Sequence, residues 1–170
     1  REEGRVHLDG FLSYPSAVYT VPYGVMVPKE VDNLLLPVPV SGSHIGFSTL
    51  RMEPCWMAMG QAAGIASALS IDGKVKVQNI DLSRLQDKLV DQKATLLYFK
   101  DVDNTSPHFR MVQYLGLRGY LPEWTARLQE PVDAATLAAW KKLSGTDLTG
   151  IEAGKTTRLA ALEKIYQKIK

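Results

Sequence analysis

Only one cysteine, Cys55, occurs in the 170 residues, so no internal disulfide is possible. A lone thiol fits a reducing compartment, and its place in an apolar run favours a buried, inert group over a nucleophile. Histidine is also scarce. His7, His44 and His108 lie far apart with no ligand-spaced pair, so no metal site is expected. No excess of one charge exists either. The net charge is +2; residues 1–80 carry 6 basic and 7 acidic side chains, residues 81–170 carry 14 and 11. Without a dense basic stripe, phosphate-driven nucleic-acid binding is excluded. The chain begins at Arg1 rather than Met and nothing near it reads as a signal peptide, so a segment of a longer product is expected. What remains is ordinary globular material, 45% hydrophobic and 22% charged, enough for one domain or one and a fraction.

The opening stretch is rich in proline and aromatics. Tyr14-Pro15, Val21-Pro22-Tyr23-Gly24 and Val27-Pro28 punctuate short runs, Ala17 to Val21 and Val25 to Val27, which read as extended edge pieces. Leu34 to Val38 is a continuous apolar run that suits a strand buried on both faces. A Gly/Ser loop, Ser41 to Thr49, then leads to Pro54–Leu69, 16 residues without a charge and crowded with Ala and Gly. Pro54 fits the first turn of a helix, and a helix apolar all round is expected to be buried all round. It is short for a membrane span of ~20 residues, and close approach to a sheet accounts for Gly60 and Gly64.

After Asp72-Gly73 the texture becomes helical. Asp81 reads as an N-cap with a staple between Ile80 and Leu85, and Leu82, Leu85 and Leu89 follow at helical spacing. Ser106-Pro107 opens a further helix that ends at Gly116 and Gly119. Pro131-Val132-Asp133 opens another, with Val132 and Leu137 as its staple. The last begins near Thr156-Thr157, with Leu159, Leu162, Ile165, Tyr166 and Ile169 as its apolar face. Residues 1–80, a connecting helix at 81–94 and a helical module at 95–170 follow as the expected division.

Chemistry is thinly signalled. Gly150 to Thr156 resembles a phosphate loop but is one residue short between its glycines and lacks the preceding strand, so a turn and N-cap suffice. Ser41, Ser43 and Ser48 surround His44, yet no G-x-S-x-G elbow occurs. The junction from Ser43 to Pro54 is the stronger candidate. A loop that opens a long helix presents backbone N–H groups and the positive end of the helix dipole, suited to an anion or an electron-rich carbonyl edge. Arg51 adds a full charge there; its bland role is a salt bridge to Glu53 or a neighbour.

The same residues carry a resemblance. Val21 to Lys29, Val31 to Val38, Ser41 to Pro54 and Gly60-Gln61-Ala62-Ala63-Gly64 look like the C-terminal end of a bacterial FAD-dependent oxidoreductase family, some members of which bear a xanthan lyase label. The resemblance implies a flavin-capping loop and helix. Ser43, Ser48, Thr49, Leu50, Arg51 and Met52 would lie at the cofactor, and His44 and Arg51 would touch substrate or flavin charge. It also implies hydride transfer from an organic or sugar-derived substrate to flavin N5 in the full-length protein. The family's G-x-G-x-x-G fingerprint is absent. The chain alone is therefore expected to hold no FAD and to be inactive and colourless.

More loosely, Phe99-Lys100-Asp101-Val102, the segment Met111–Leu117 and Pro131-Val132 follow the order of S-layer-homology modules. Thr157-Arg158-Leu159-Ala160 lacks the Glu of their glycan-docking motif. That resemblance raises an alternative, a non-catalytic glycan- or protein-interaction module at 95–170, and a periplasmic or extracytoplasmic setting. The fold class expected is α+β and helix-rich: short strands and a buried helix at the end of an FAD-binding α/β domain, then a small helical module.

Overall fold

The computed structural model describes residues 17–170. His7 and the Tyr14-Pro15 punctuation lie outside the described residues. Among the described residues six helices follow in order: α1 (His44–Leu50), α2 (Glu53–Gly73), α3 (Leu82–Asp91), α4 (Phe109–Leu117), α5 (Ala134–Ser144) and α6 (Arg158–Ile169). Single 3-10 turns at Tyr23–Met26 and Val77–Asn79 complete the regular structure.

The helix starts follow the local chemistry of their caps. The Asp81 carboxylate accepts from the N–H groups of Ser83 and Arg84 at 2.8 and 3.3 Å. Asp133 accepts from Thr136 N–H at 2.8 Å, and Thr157 accepts from Ala160 N–H at 3.3 Å. Each cap satisfies donors that the first helical turn cannot. Gly119 and Gly145 take positive φ values of 84° and 59° just beyond α4 and at the end of α5, where a Cβ would be strained.

The expected strands do not form among the described residues. Tyr23–Met26 is a 3-10 turn, and the run at 34–38 is irregular, with Leu34 and Val38 exposed. Two separate backbone bonds tie this region together, from Leu36 N–H to Met26 C=O and from Ser41 N–H to Val25 C=O, both 2.8 Å. Pro28 and Pro37 remove donors on either side, so no ladder propagates. The sole bridge of β type among these residues is Pro131 with Thr157, antiparallel, which joins the openings of α5 and α6.

Helix α2 is also not buried all round. Met59, Ala63, Ala66, Leu69 and Ser70 face inward, while Met57 and Ile71 are 75% and 76% exposed. A Cβ built at Gly60 or Gly64 meets nothing within 4 Å, so the close approach expected of those glycines is not present. Leu82 likewise points outward from α3, whose buried face is Leu85, Leu89 and Val90.

Three apolar clusters result. The largest packs α4, α5 and α6 around Val112 and Leu115, with Trp140, Leu148, Leu162 and Ile165 fully buried. A second holds Met26, Val40, Leu50, Met59 and Ala63; a third joins Ala66 and Leu69 of α2 to Ile80, Leu85 and Leu89. Tyr23 spans the last two, donating its hydroxyl to Val77 C=O at 2.9 Å, and burial pushes that phenol above its ordinary range.

Candidate functional site

The junction between α1 and α2 begins where Ser43 caps α1, its Oγ accepting from Gly46 N–H at 3.0 Å. The stretch expected as a Gly/Ser loop is thus a short helix. Its hydroxyls are already engaged. Ser48 Oγ donates to Ile45 C=O at 2.6 Å, Thr49 Oγ1 donates to Gly46 C=O at 3.0 Å, and Tyr19 donates to Thr49 Oγ1 at 2.5 Å. Leu50 is 6% exposed and belongs to the core beneath, so its side chain holds the junction in place from below.

Arg51 ends α1, its N–H donating to Phe47 C=O at 3.0 Å. Its guanidinium pairs with no carboxylate among the described residues, Glu53 included. Arg51 and Met52 are exposed at this end, and His44 is exposed at the opposite, N-terminal end of α1. Met52 caps α2 without a side-chain hydrogen bond. Pro54 has no N–H, while Cys55 and Trp56 N–H groups both donate to Met52 C=O at 3.0 and 3.2 Å. The donors left at this turn are the N–H groups of Met52 and Glu53. Close by in sequence, the buried indole Nε1 of Trp56 has no partner among the described residues. Spacing alone gave no sign of that orphaned donor, because a tryptophan in an apolar run reads as core.

The arrangement is an exposed, positively biased helix end whose guanidinium, Arg51, pairs with no carboxylate among the described residues. A family description, FAD dependent oxidoreductase, matches residues 3–89. The chain belongs to the FAD dependent oxidoreductase family. No curated protein and no solved structure matches it.

For an FAD dependent oxidoreductase the fit to the cofactor divides in two. The start of α2 suits the electron-rich edge of a flavin ring: backbone N–H groups and Arg51 are donors there, although Glu53 in the first turn competes for the same dipole. Nothing among the described residues suits the pyrophosphate. The Gly150–Gly154 turn that echoes a phosphate loop is closed on itself, with Glu152 N–H on Thr156 Oγ1 at 2.9 Å and Lys155 paired to Glu152 at 2.7 Å.

The other expected sites resolve as structure. Cys55 is a free, half-buried thiol. No group of three or more His, Cys, Asp or Glu is placed to hold a metal among the described residues. No helix there is long and apolar enough to cross a membrane. Arg158 is 5% exposed, donates Nε–H to Ala126 C=O at 2.9 Å and lies 5.1 Å from the Trp140 ring centre; burial pushes its pKa down.

Proposed function

We propose that this chain supplies the flavin-capping end of an FAD-dependent oxidoreductase and acts together with a dinucleotide-binding unit that carries the missing glycine fingerprint. The observation that carries the reading is the start of α2. It offers backbone donors, a helix dipole and Arg51, which pairs with no carboxylate among the described residues, on one exposed end within the segment that matches the family. Bound FAD supplies hydride acceptance at its ring. The chain's own part is to stabilise negative charge at the ring's pyrimidine edge, through Met52 and Glu53 N–H groups and the Arg51 guanidinium. Ser43, Ser48 and Thr49 act indirectly, by bonding the backbone that aims the junction. His44, exposed beside Ser43, is the group best placed to meet an organic or sugar-derived substrate.

The test is a potential measurement in the flavoprotein that contains this segment. Replacing Arg51 with Ala should lower the flavin midpoint potential and weaken sulfite addition, with Arg51→Lys restoring most of both. An unchanged potential and unchanged sulfite affinity in Arg51→Ala would reject the assignment. For the chain by itself, the expected outcome is a purified protein without flavin absorbance at 450 nm or thereabouts; a stoichiometric flavin spectrum would reject the need for a second unit.

A further inference from the structure

Residues 17–21 run without helix or strand, and among the described residues they make a single hydrogen bond. That bond joins two side chains 30 positions apart. The Tyr19 hydroxyl donates to Thr49 Oγ1 at 2.5 Å, and Thr49 Oγ1 donates in turn to Gly46 C=O at 3.0 Å. The pair of bonds grips the last turn of α1, two residues before Arg51. Leu50 holds the same turn from the core beneath, so Tyr19 is a second and separate point of attachment. The segment that carries Tyr19 is itself anchored. Two residues on, Val21 packs against the cluster that contains Leu50, and Tyr23 follows it there. The Tyr19 ring lines a cleft of about 140 Å³ beside Tyr98 and Trp124. Both ends of the tie therefore rest on one small core, and the hydroxyl contact closes the loop between them.

We propose, on the flavin reading of Arg51 given above, that Tyr19 is a positioning residue: it fixes the last turn of α1 and, through that turn, the Arg51 guanidinium. The need for it is one of order. A cation stabilises charge developing on a ring only where its position is set before the charge appears. Helix α1 has seven residues, too few to hold its shape without tertiary contacts. Arg51 is its C-cap, the end at which a short helix frays. Leu50 alone leaves the turn free to pivot about one buried side chain. The Tyr19–Thr49 contact removes that pivot. It also sets a direction along the hydroxyls: with Tyr19 donating to Thr49 Oγ1, the Thr49 proton goes to Gly46 C=O, and each bond polarises the next. The contact lies at the surface, so its worth is that of an ordinary net hydrogen bond, about threefold to tenfold in the population of the aligned state. Tyr19→Phe keeps the ring in the cleft and removes the donor alone.

The experiment has two arms. In the flavoprotein that contains this segment, the flavin midpoint potential and the sulfite Kd are measured for the parent, Tyr19→Phe, Thr49→Val, Thr49→Ser, Arg51→Ala and the double variant Tyr19→Phe/Arg51→Ala. Tyr19→Phe is expected to raise the sulfite Kd about threefold to tenfold and to lower the potential, in the direction of Arg51→Ala but by less. Thr49→Val should repeat this, and Thr49→Ser, which keeps the hydroxyl, should stay near the parent. In the Arg51→Ala background Tyr19→Phe should add nothing, because no guanidinium is left to position. A full Tyr19→Phe effect in that background overturns the proposal. So does a silent Tyr19→Phe beside an active Arg51→Ala, a result that leaves the flavin reading standing; a silent Arg51→Ala rejects the flavin reading itself. The second arm uses this chain without flavin. Amide exchange at residues 47–51 should quicken in Tyr19→Phe while that of α4 is unchanged. Equal exchange in parent and variant overturns the tie whatever the flavin does.

Discussion

Gln113 is fully buried in α4, among the apolar side chains of the largest core. Its Oε1 accepts from Leu96 and Leu97 N–H at 3.0 and 2.8 Å, and its Nε2 donates to Leu97 C=O at 2.7 Å. One amide therefore stands in for the secondary structure that residues 96–97 lack. Gln113→Leu fits the volume but strands two N–H groups and a carbonyl. It should cost about 2–4 kcal/mol, read as a lower urea midpoint with an unchanged slope. A second prediction concerns acid. Thr136 N–H and hydroxyl bonds hold the Asp133 carboxyl below its ordinary range. A depressed native pKa means stability fully present above the unfolded value of ~3.9 and lost as pH falls from there through the lower native value. Asp133→Asn keeps a competent cap but cannot titrate, so its stability should fall less steeply below about pH 4 than the parent's. A parallel pH profile would contradict the cap as the source of that dependence.

At the scale of the element, α2 is where sequence and structure diverge, and the reason is physical. Caps at Asp81, Asp133 and Thr157 were legible because a cap is a contact between residues two or three apart. The inward face of α6 was legible because large apolar residues recur at helical spacing. In α2 small residues occur on every side, so periodicity carries no direction and the choice of buried face falls to distant neighbours. The absent strands have the same origin: pairing is non-local, and a run such as 34–38 looks identical with or without a partner. The candidate site was legible as a location, from Ser43 to Pro54. Its donor set was not, because Leu50 turns into the core and three hydroxyls bond their own backbone. Gly60 and Gly64 give the test. With open space at both Cβ positions, Gly60→Ala and Gly64→Ala should each stabilise this chain by about 0.5–1 kcal/mol. Gly116→Ala should do the reverse, since its Cβ would sit 2.8 Å from Leu97 Cδ1 and 3.1 Å from Phe99 Cζ. Thermal melts of the three variants decide it, and a destabilised Gly64→Ala would mean that α2 is covered in solution.

The whole molecule is unevenly built. Among the described residues, eleven of the fifteen exposed large apolar side chains lie between Val18 and Val75, and four lie beyond. The early part keeps only the smaller clusters around Leu50 and Leu69, while α4, α5 and α6 close over a continuous core. Fewer buried apolar contacts mean a lower free energy of local opening. Backbone amides of α1 and the first half of α2 should therefore exchange by small, sub-global openings, and those of α4 and α6 only near the global limit. The tryptophans report the two regions separately: Trp56 packs on the Leu50 cluster, whereas Trp140 is 1% exposed in the large core and donates to Tyr120 C=O at 2.8 Å. In urea, the fluorescence of Trp56 should change at a lower concentration than that of Trp140, and Trp56→Phe should remove the earlier transition without moving the later one. Coincident transitions with uniform exchange protection would instead mean that α3, which packs against both α2 and α4, couples the two regions into one cooperative unit. The early part gains stability only where its exposed apolar surface is covered. A dinucleotide-binding unit that docks there should raise the Trp56 transition toward that of Trp140, and an early transition that stays fixed in the complete flavoprotein would count against that contact.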